Sequence, residues 1–164
     1  MNFSSQTSHT LHEEHRANLD LLGRAEQALV RAPRGEGVRD PDLIKLVAAL
    51  ARNLEQDIDR HFGFEEKELF PRMREAGDGE IAMLLAEEHD AIRAVAEELL
   101  PLTRAATGGT LDGAGWDALK RGALELVERQ VSHIQKEEMS LLPLLDDLLD
   151  DETDRQLAFD YAAG

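Results

Sequence analysis

The sequence predicts an all-α protein, an up-down-up-down four-helix bundle with a possible short helix after it. The chain of 164 residues is rich in Leu, Ala, Glu and Arg, which favour helices, and has few of the Val and Ile residues typical of sheets. Apolar residues recur at helical spacing along four long segments. Short connections containing glycine or proline separate these segments, and short connections place consecutive helices antiparallel.

The ends of the helices follow from turn and capping residues. A turn is predicted at 33–37, and Asp40 followed by Pro41 marks the start of the second helix. The expected helices are residues 11–32, 40–76, 80–106, 116–150 and, as a weakly marked tail, 151–162. We expect one domain spanning residues 1–164, with the bundle core at about 11–150.

Composition limits the classes of function. The formal net charge of −16 would repel a phosphate backbone, so we expect no nucleic-acid partner. No apolar run approaches the ~18–20 residues of a membrane span, and the N-terminus lacks signal-peptide features, so we expect a cytoplasmic protein without membrane contact. The chain has no cysteine. Any transition metal must therefore be held by histidine and carboxylate ligands.

One histidine interrupts the apolar stripe of each long helix. The four histidines are His15, His61, His89 and His133. In the second and fourth helices a glutamate follows the histidine after four residues, on the same helix face. These glutamates are Glu65 and Glu137. A single core-facing histidine is more often a structural residue than a ligand, but the same feature in four helices favours a metal site.

The chain also repeats itself, because residues 11–15 align with 85–89 and residues 61–71 with 133–143. One helical hairpin thus occurs twice, and Pro71 and Pro143 predict a kink or break beyond each glutamate. Four imidazoles and two carboxylates should converge inside the bundle, where buried carboxylates need positive charge beside them. Two cations would supply it, and mixed nitrogen and oxygen donors suit Fe, Mn or Zn better than Mg or Ca.

The repeated pattern of His, then HisxxxGlu, with its Glu-Glu-His and HisPhexxGluGlu surroundings, resembles the hemerythrin-like (HHE cation-binding) family. The resemblance covers residues from Leu11 to Pro143. It implies a four-helix bundle with a bridged non-haem di-iron centre, in which Zn or Mn are conceivable substitutes. The ligands it implies are His15, His61, Glu65, His89, His133 and Glu137. His15 and His61 would hold one iron, His89 and His133 the other, and the two glutamates would bridge.

The same resemblance implies a small ligand, namely O2, NO or hydrogen peroxide. It leaves open whether the chain is an oxygen- or iron-responsive sensing and interaction module, an iron-binding protein, or an enzyme with catalase-, peroxidase- or NO-reductase-like activity. The protein partner is unknown, and we expect a monomer or weak homodimer. An oxygen carrier is disfavoured, because Arg93 stands where the third helix of the carriers has a second histidine. The fourth helix also has HisxxxGlu where the carriers have HisxxxxAsp, with Glu138 at the fifth place.

The ferritin-like di-iron proteins are the structural alternative, but they need Glu-x-x-His on two helices. The residues three before the core histidines are His12, Ile58, Ala86 and Gln130, so that signature is absent.

Some nearby polar residues have two interpretations. His12 is either a fifth ligand or proton donor, or a partly exposed rim residue, which we favour. Asp57 either accepts a hydrogen bond from a ligating imidazole, or is solvated or paired with an arginine, which we favour. His9 is expected before the first helix, in a disordered segment. The remaining glutamates are expected on solvated faces, and Glu66 and Glu138 are the candidates for exceptions. These glutamates are Glu13, Glu14, Glu66, Glu87, Glu88 and Glu138.

Overall fold

The computed structural model describes residues 3–32 and 40–164, and the predicted turn at 33–37 lies outside them. The α-helices are α1 (Gln6–Arg31), α2 (Pro41–Arg52), α3 (Ile58–Phe64), α4 (Phe70–Glu75), α5 (Gly79–Thr107), α6 (Gly113–Ser140), α7 (Leu145–Leu148) and α8 (Asp151–Ala163). Two π-helical turns (Asn53–Asp57 and Glu65–Leu69) join α2, α3 and α4 into one long second bundle helix. A 3-10 turn (Leu142–Leu144) follows α6.

Helix α1 begins five residues before the predicted start. The side chain of Ser5 caps it by accepting a 3.2 Å hydrogen bond from the amide of Ser8. The Ser5 hydroxyl in turn donates to Asp154 of α8, so the tail helix fixes the start of the first helix. The prediction that His9 precedes the helix was therefore wrong: it lies within α1, with its side chain exposed.

The second bundle helix starts as predicted, with Asp40 as N-cap and Pro41 as its first residue. Its two π turns each contain one residue more per hydrogen-bonded turn than an α-helix. The second π turn begins at Glu65 and ends just before Pro71, which has no amide hydrogen to donate. The widened turn allows the helix to continue past the proline, so the predicted kink takes the form of a π turn.

The fourth bundle helix is shorter than predicted at its end. Helix α6 begins at Gly113, where the side chain of Asp112 accepts a 2.7 Å hydrogen bond from the amide of Gly115. It ends at Ser140 instead of near residue 150, because Pro143 shifts the chain into a 3-10 turn. The predicted tail helix is present as α8.

Each long helix packs against its neighbours in sequence, and α1 also packs on α6, which closes an up-down-up-down four-helix bundle. Two apolar clusters fill the interior. One includes Leu22, Leu50, Ile92 and Leu126, and the other includes Leu11, Phe70, Leu85 and Leu141. In α1, α5 and α6 the core histidine lies between residues of the two clusters, so a polar layer separates them. Among the described residues, no helix combines the length and apolarity that crossing a membrane requires.

Candidate metal centre

Each bundle helix contributes one buried histidine to the polar layer. They are His15 on α1, His61 on α3, His89 on α5 and His133 on α6. Aromatic rings hold the imidazoles in place, since Phe62 stacks on His89 with 3.7 Å between ring centroids and an interplanar angle of 5°. The periodicity of each helix fixes this convergence, because each histidine continues an apolar stripe that faces the core.

Glu137 lies at the middle of the layer and is fully buried. Its Oε2 lies 2.9 Å from Nε2 of His15, and its Oε1 lies 3.3 Å from Nε2 of His89. The Nε2 atom of His133, one helical turn before it, also contacts Oε1. The two oxygens of this carboxylate thus face different histidines.

Glu65 has the same arrangement from the opposite helix and is also fully buried. Its Oε1 lies 2.7 Å from Nε2 of His61, and its Oε2 lies 3.1 Å from Nε2 of His89. Ligand atoms within 4.8 Å of one another form two sets, each able to hold a cation: His15, His61, Glu65 and Glu137; and Glu65, His89, His133 and Glu137. Both carboxylates belong to both sets, which is the arrangement of bridging ligands.

Several of these atoms have close neighbours but no hydrogen bond. In the described part of the chain, the buried polar atoms without a hydrogen-bond partner include Nε2 of His61, Nε2 of His133 and both carboxylate oxygens of Glu65. Leaving a buried donor or acceptor unsatisfied costs about 1–3 kcal/mol for each group. These nitrogen and oxygen atoms lie close together within the two ligand sets without forming hydrogen bonds, as expected of atoms that share a cation, so the residues fit two cations.

Four outer glutamates hold the other nitrogen, Nδ1, of each histidine. The distances are 2.7 Å for His15 to Glu138, 2.9 Å for His61 to Glu14, 2.8 Å for His89 to Glu66 and 2.9 Å for His133 to Glu88. Because an ionised carboxylate can only accept, Nδ1 must donate in each pair. The Nε2 atom, which faces the inner carboxylates, is then the nitrogen that can bind a metal.

The outer glutamates form a closed ring around the bundle. Each bundle helix supplies one glutamate to the histidine of the next helix, and the fourth helix returns to the first. Each outer carboxylate also has a further partner. Arg60 and Tyr161 contact Glu14, Arg93 contacts Glu66, Lys136 contacts Glu88, and His12 contacts Glu138. These partners fix the carboxylates that orient the imidazoles.

In the metal-free chain, protons take the place of cations in this layer. Burial opposes protonation of His15, but hydrogen bonds to Glu137 and Glu138 outweigh it and raise the pKa of His15 to about 9. The pKa of His89 is likewise raised to about 9 against burial, through a hydrogen bond to Glu137 and the adjacent negative charge of Glu65. The neighbouring imidazoles, led by His133, overcome burial and hold the pKa of Glu137 well below its usual value. Metal ions must therefore displace protons from Nε2.

Half of the outer ring was missed in the sequence: Glu66 and Glu138 were named as exceptions, but Glu14 and Glu88 were expected on solvated faces. That expectation was wrong, whereas Glu13 and Glu87 are exposed as expected. A signal was present, because every outer glutamate is adjacent in sequence to a predicted ligand. Adjacent helical residues point about 100° apart, so the second glutamate can reach the neighbouring helix.

The structure also settles the surroundings of three other residues. Asp57 is exposed, and the place beside His61 that it was weighed for belongs to Glu14. His12 is partly exposed at the rim, and its Nδ1 contacts Glu138, 2.8 Å away. Arg93, which stands where the carriers have a histidine, holds the carboxylate of Glu66 with hydrogen bonds of 2.8 and 3.0 Å.

Fold and site together define a four-helix bundle with an internal histidine and glutamate site for metal cations. Residues 6–145 match the family model of the hemerythrin HHE cation binding domain. The chain belongs to this family. No curated protein matches the sequence.

Proposed function

We propose that the chain is a non-haem di-iron protein that reacts with O2, NO or hydrogen peroxide. The ligands we assign are His15, His61, Glu65, His89, His133 and Glu137. The observation that carries this proposal is that both inner carboxylates belong to both ligand sets, and each directs its two oxygens to histidines of different sets. Two imidazoles and two carboxylate oxygens per ion leave room for an external ligand.

The donor atoms of the layer favour iron. Mixed imidazole and carboxylate donors suit Fe, Mn and Zn. The two inner and four outer carboxylates bring six negative charges to the site, but Arg60, Arg93 and Lys136 offset three of them, so net charge does not decide between divalent and trivalent ions. Carboxylates on Nδ1 also increase the basicity of the imidazoles, which supports a high oxidation state. Mn and Zn stay the alternatives that metal analysis must exclude.

A bridged iron pair, when bound, supplies reversible binding of, or electron transfer with, small oxygen and nitrogen molecules. The protein residues have supporting tasks. The ring of outer glutamates fixes the tautomer and orientation of each imidazole, and the apolar clusters on both sides of the layer bury most of it away from bulk water. His12 positions Glu138 at the rim.

Turnover is favoured over stable storage of O2. Four imidazoles leave both ions accessible to an external ligand, whereas reversible transport requires one restricted position and protection of the bound molecule. We therefore expect the reduced protein to oxidise within minutes in air, and the ferric protein to decompose hydrogen peroxide.

Stopped-flow mixing of the reduced protein with O2, together with an oxygen electrode after addition of peroxide, tests this proposal. We expect no persistent oxygenated spectrum, oxygen release from peroxide, and loss of that release in His89→Ala. The matched control is His9→Ala, which changes an exposed histidine of α1. A stable oxygenated spectrum that reverses under vacuum, without oxygen release from peroxide, would assign the chain to carriers or sensors.

A further inference from the structure

A pocket of about 320 Å3 lies beside the metal centre, between α1, the second bundle helix and α6. Its lining includes His15, His61, His133 and Glu137 of the metal centre, but not Glu65. Exposed residues of the lining, including Ala17 and Asp57, place its mouth at the surface. The volume is at the lower end of the range for small-molecule sites, about 300–1,000 Å3.

Three carboxamides line this pocket, those of Asn18, Asn53 and Gln130. Gln130 is 1% exposed and Asn53 is 5% exposed. Within the described part of the chain, Oδ1 of Asn18, Oδ1 of Asn53 and Nε2 of Gln130 have no hydrogen-bond partner. The amide nitrogen of Asn53 donates only a long bond, 3.5 Å, to Asp57. Buried polar groups are nearly always paired, so three unpaired carboxamide atoms in one pocket require a hydrogen-bonding occupant there, either water or a ligand.

A π turn interrupts the α-helical backbone at the wall of the same pocket. The first π turn begins at Asn53 and contains no proline, unlike the second, which precedes Pro71. π turns inside α-helices occur frequently at functional sites. This turn places Asn53 on the wall of the pocket, and sequence alone gives no local reason for it.

The unpaired atoms specify the chemistry of the occupant. Two carbonyl oxygens need hydrogen donors, and one amide nitrogen needs an acceptor. Neither O2 nor NO has a hydrogen to donate, so neither can satisfy Asn18 or Asn53. Hydrogen peroxide has two O–H donors and lone pairs on both oxygens, and it can satisfy donors and acceptors together.

We propose that Asn18, Asn53 and Gln130 form the holding site for hydrogen peroxide beside the metal centre. This inference rests on the proposed function and selects the substrate among its candidates. The reaction balances without another reductant. One peroxide molecule loses two electrons and two protons to become O2, and a second accepts them as its O–O bond breaks to give two water molecules.

The variant Gln130→Met removes the hydrogen-bonding group at similar volume, and Gln56→Met makes the same change at an exposed position of the first π turn. We expect Gln130→Met to raise the KM for peroxide about three- to tenfold, with a smaller change in kcat and unchanged iron content. The melting temperature should rise by roughly 2–10 °C, because a buried unpaired amide is removed. Gln56→Met should change none of these.

A second measurement detects binding of peroxide without catalytic turnover. In the zinc-loaded protein, which is redox-inert, titration with hydrogen peroxide should shift the side-chain amide NMR signals of Asn18, Asn53 and Gln130, and not that of Gln56. If these signals shift although the iron protein does not decompose peroxide, the holding site stands and the proposed redox function fails. Unmoved signals, or a Gln130→Met variant with unchanged KM and a lower melting temperature, would show that the carboxamides are structural and overturn the inference.

Discussion

Removal of the metal should make the stability of this protein depend strongly on pH. In the metal-free chain the pKa values of His15 and His89 are raised from 6.5 to about 9. Each pKa unit corresponds to about 1.4 kcal/mol, so a proton held by one of these histidines contributes about 3 kcal/mol to folding. The two share Glu137, so their combined contribution is smaller than the sum, on the order of 3–6 kcal/mol.

The direction in which stability changes with pH follows from the raised pKa values of the two histidines. A histidine whose pKa is higher in the folded state adds its full contribution to the free energy of unfolding at pH values below its unfolded pKa of 6.5. This contribution is lost as the pH rises through about 9. The metal-free protein should therefore lose stability between these values. In the metal-bound protein Nε2 binds the cation instead of a proton, so its stability should change little over this window.

Urea unfolding followed by circular dichroism at both ends of this pH window measures the effect on metal-free and iron-loaded protein. The difference in unfolding free energy between the two forms should grow by at least about 2 kcal/mol towards the alkaline end. His9→Ala is the control, because this exposed histidine lies outside the layer. A metal-free protein whose stability is constant or increases from pH 6.5 to 9 would refute the reasoning.

Two substitutions test the outer layer. Glu88→Gln should weaken iron binding about 10- to 100-fold in a competition with a chelator, because Glu88 orients His133. The control variant Glu87→Gln should leave the affinity for iron unchanged. Equal affinities for the two variants would show that the outer glutamates do not support metal binding. Tyr161→Phe should lower the free energy of urea unfolding by about 1–3 kcal/mol, because the buried hydroxyl donates to the carboxylate of Glu14. An unchanged unfolding curve would mean that α8 does not stabilise the layer through this bond.

The fold was predictable from the sequence because the information is local. Apolar stripes of helical period and strong turn residues specify four helices, and short connections specify their order. The fold class is confirmed, and the tail helix is present. The start of α1 was missed because it depends on the contact between Ser5 and Asp154, which are far apart in sequence. The π turn at Asn53 was missed because no proline or glycine marks it.

The candidate site also has a part that local sequence predicts and a part that it does not. The six inner residues lie on core-facing positions, so periodicity places them together, and their role as ligands stays a prediction. The outer glutamates occupy positions that face sideways, where a residue reaches either solvent or the next helix. The rotation of each helix about its axis, relative to its neighbours, decides whether such a residue reaches solvent or the next helix. The helical period of the sequence does not specify this rotation. For this reason Glu13 and Glu14, adjacent in sequence, have different surroundings.

Metal analysis of protein purified from iron-replete cells, combined with its absorption spectrum, tests the di-iron centre most directly. We expect close to two iron atoms per chain and near-ultraviolet charge-transfer bands of a bridged ferric pair. Glu137→Ala removes a carboxylate common to both ligand sets, so it should lower the iron content of both positions together. One zinc ion per chain, or no bound metal after anaerobic loading with iron, would contradict the account.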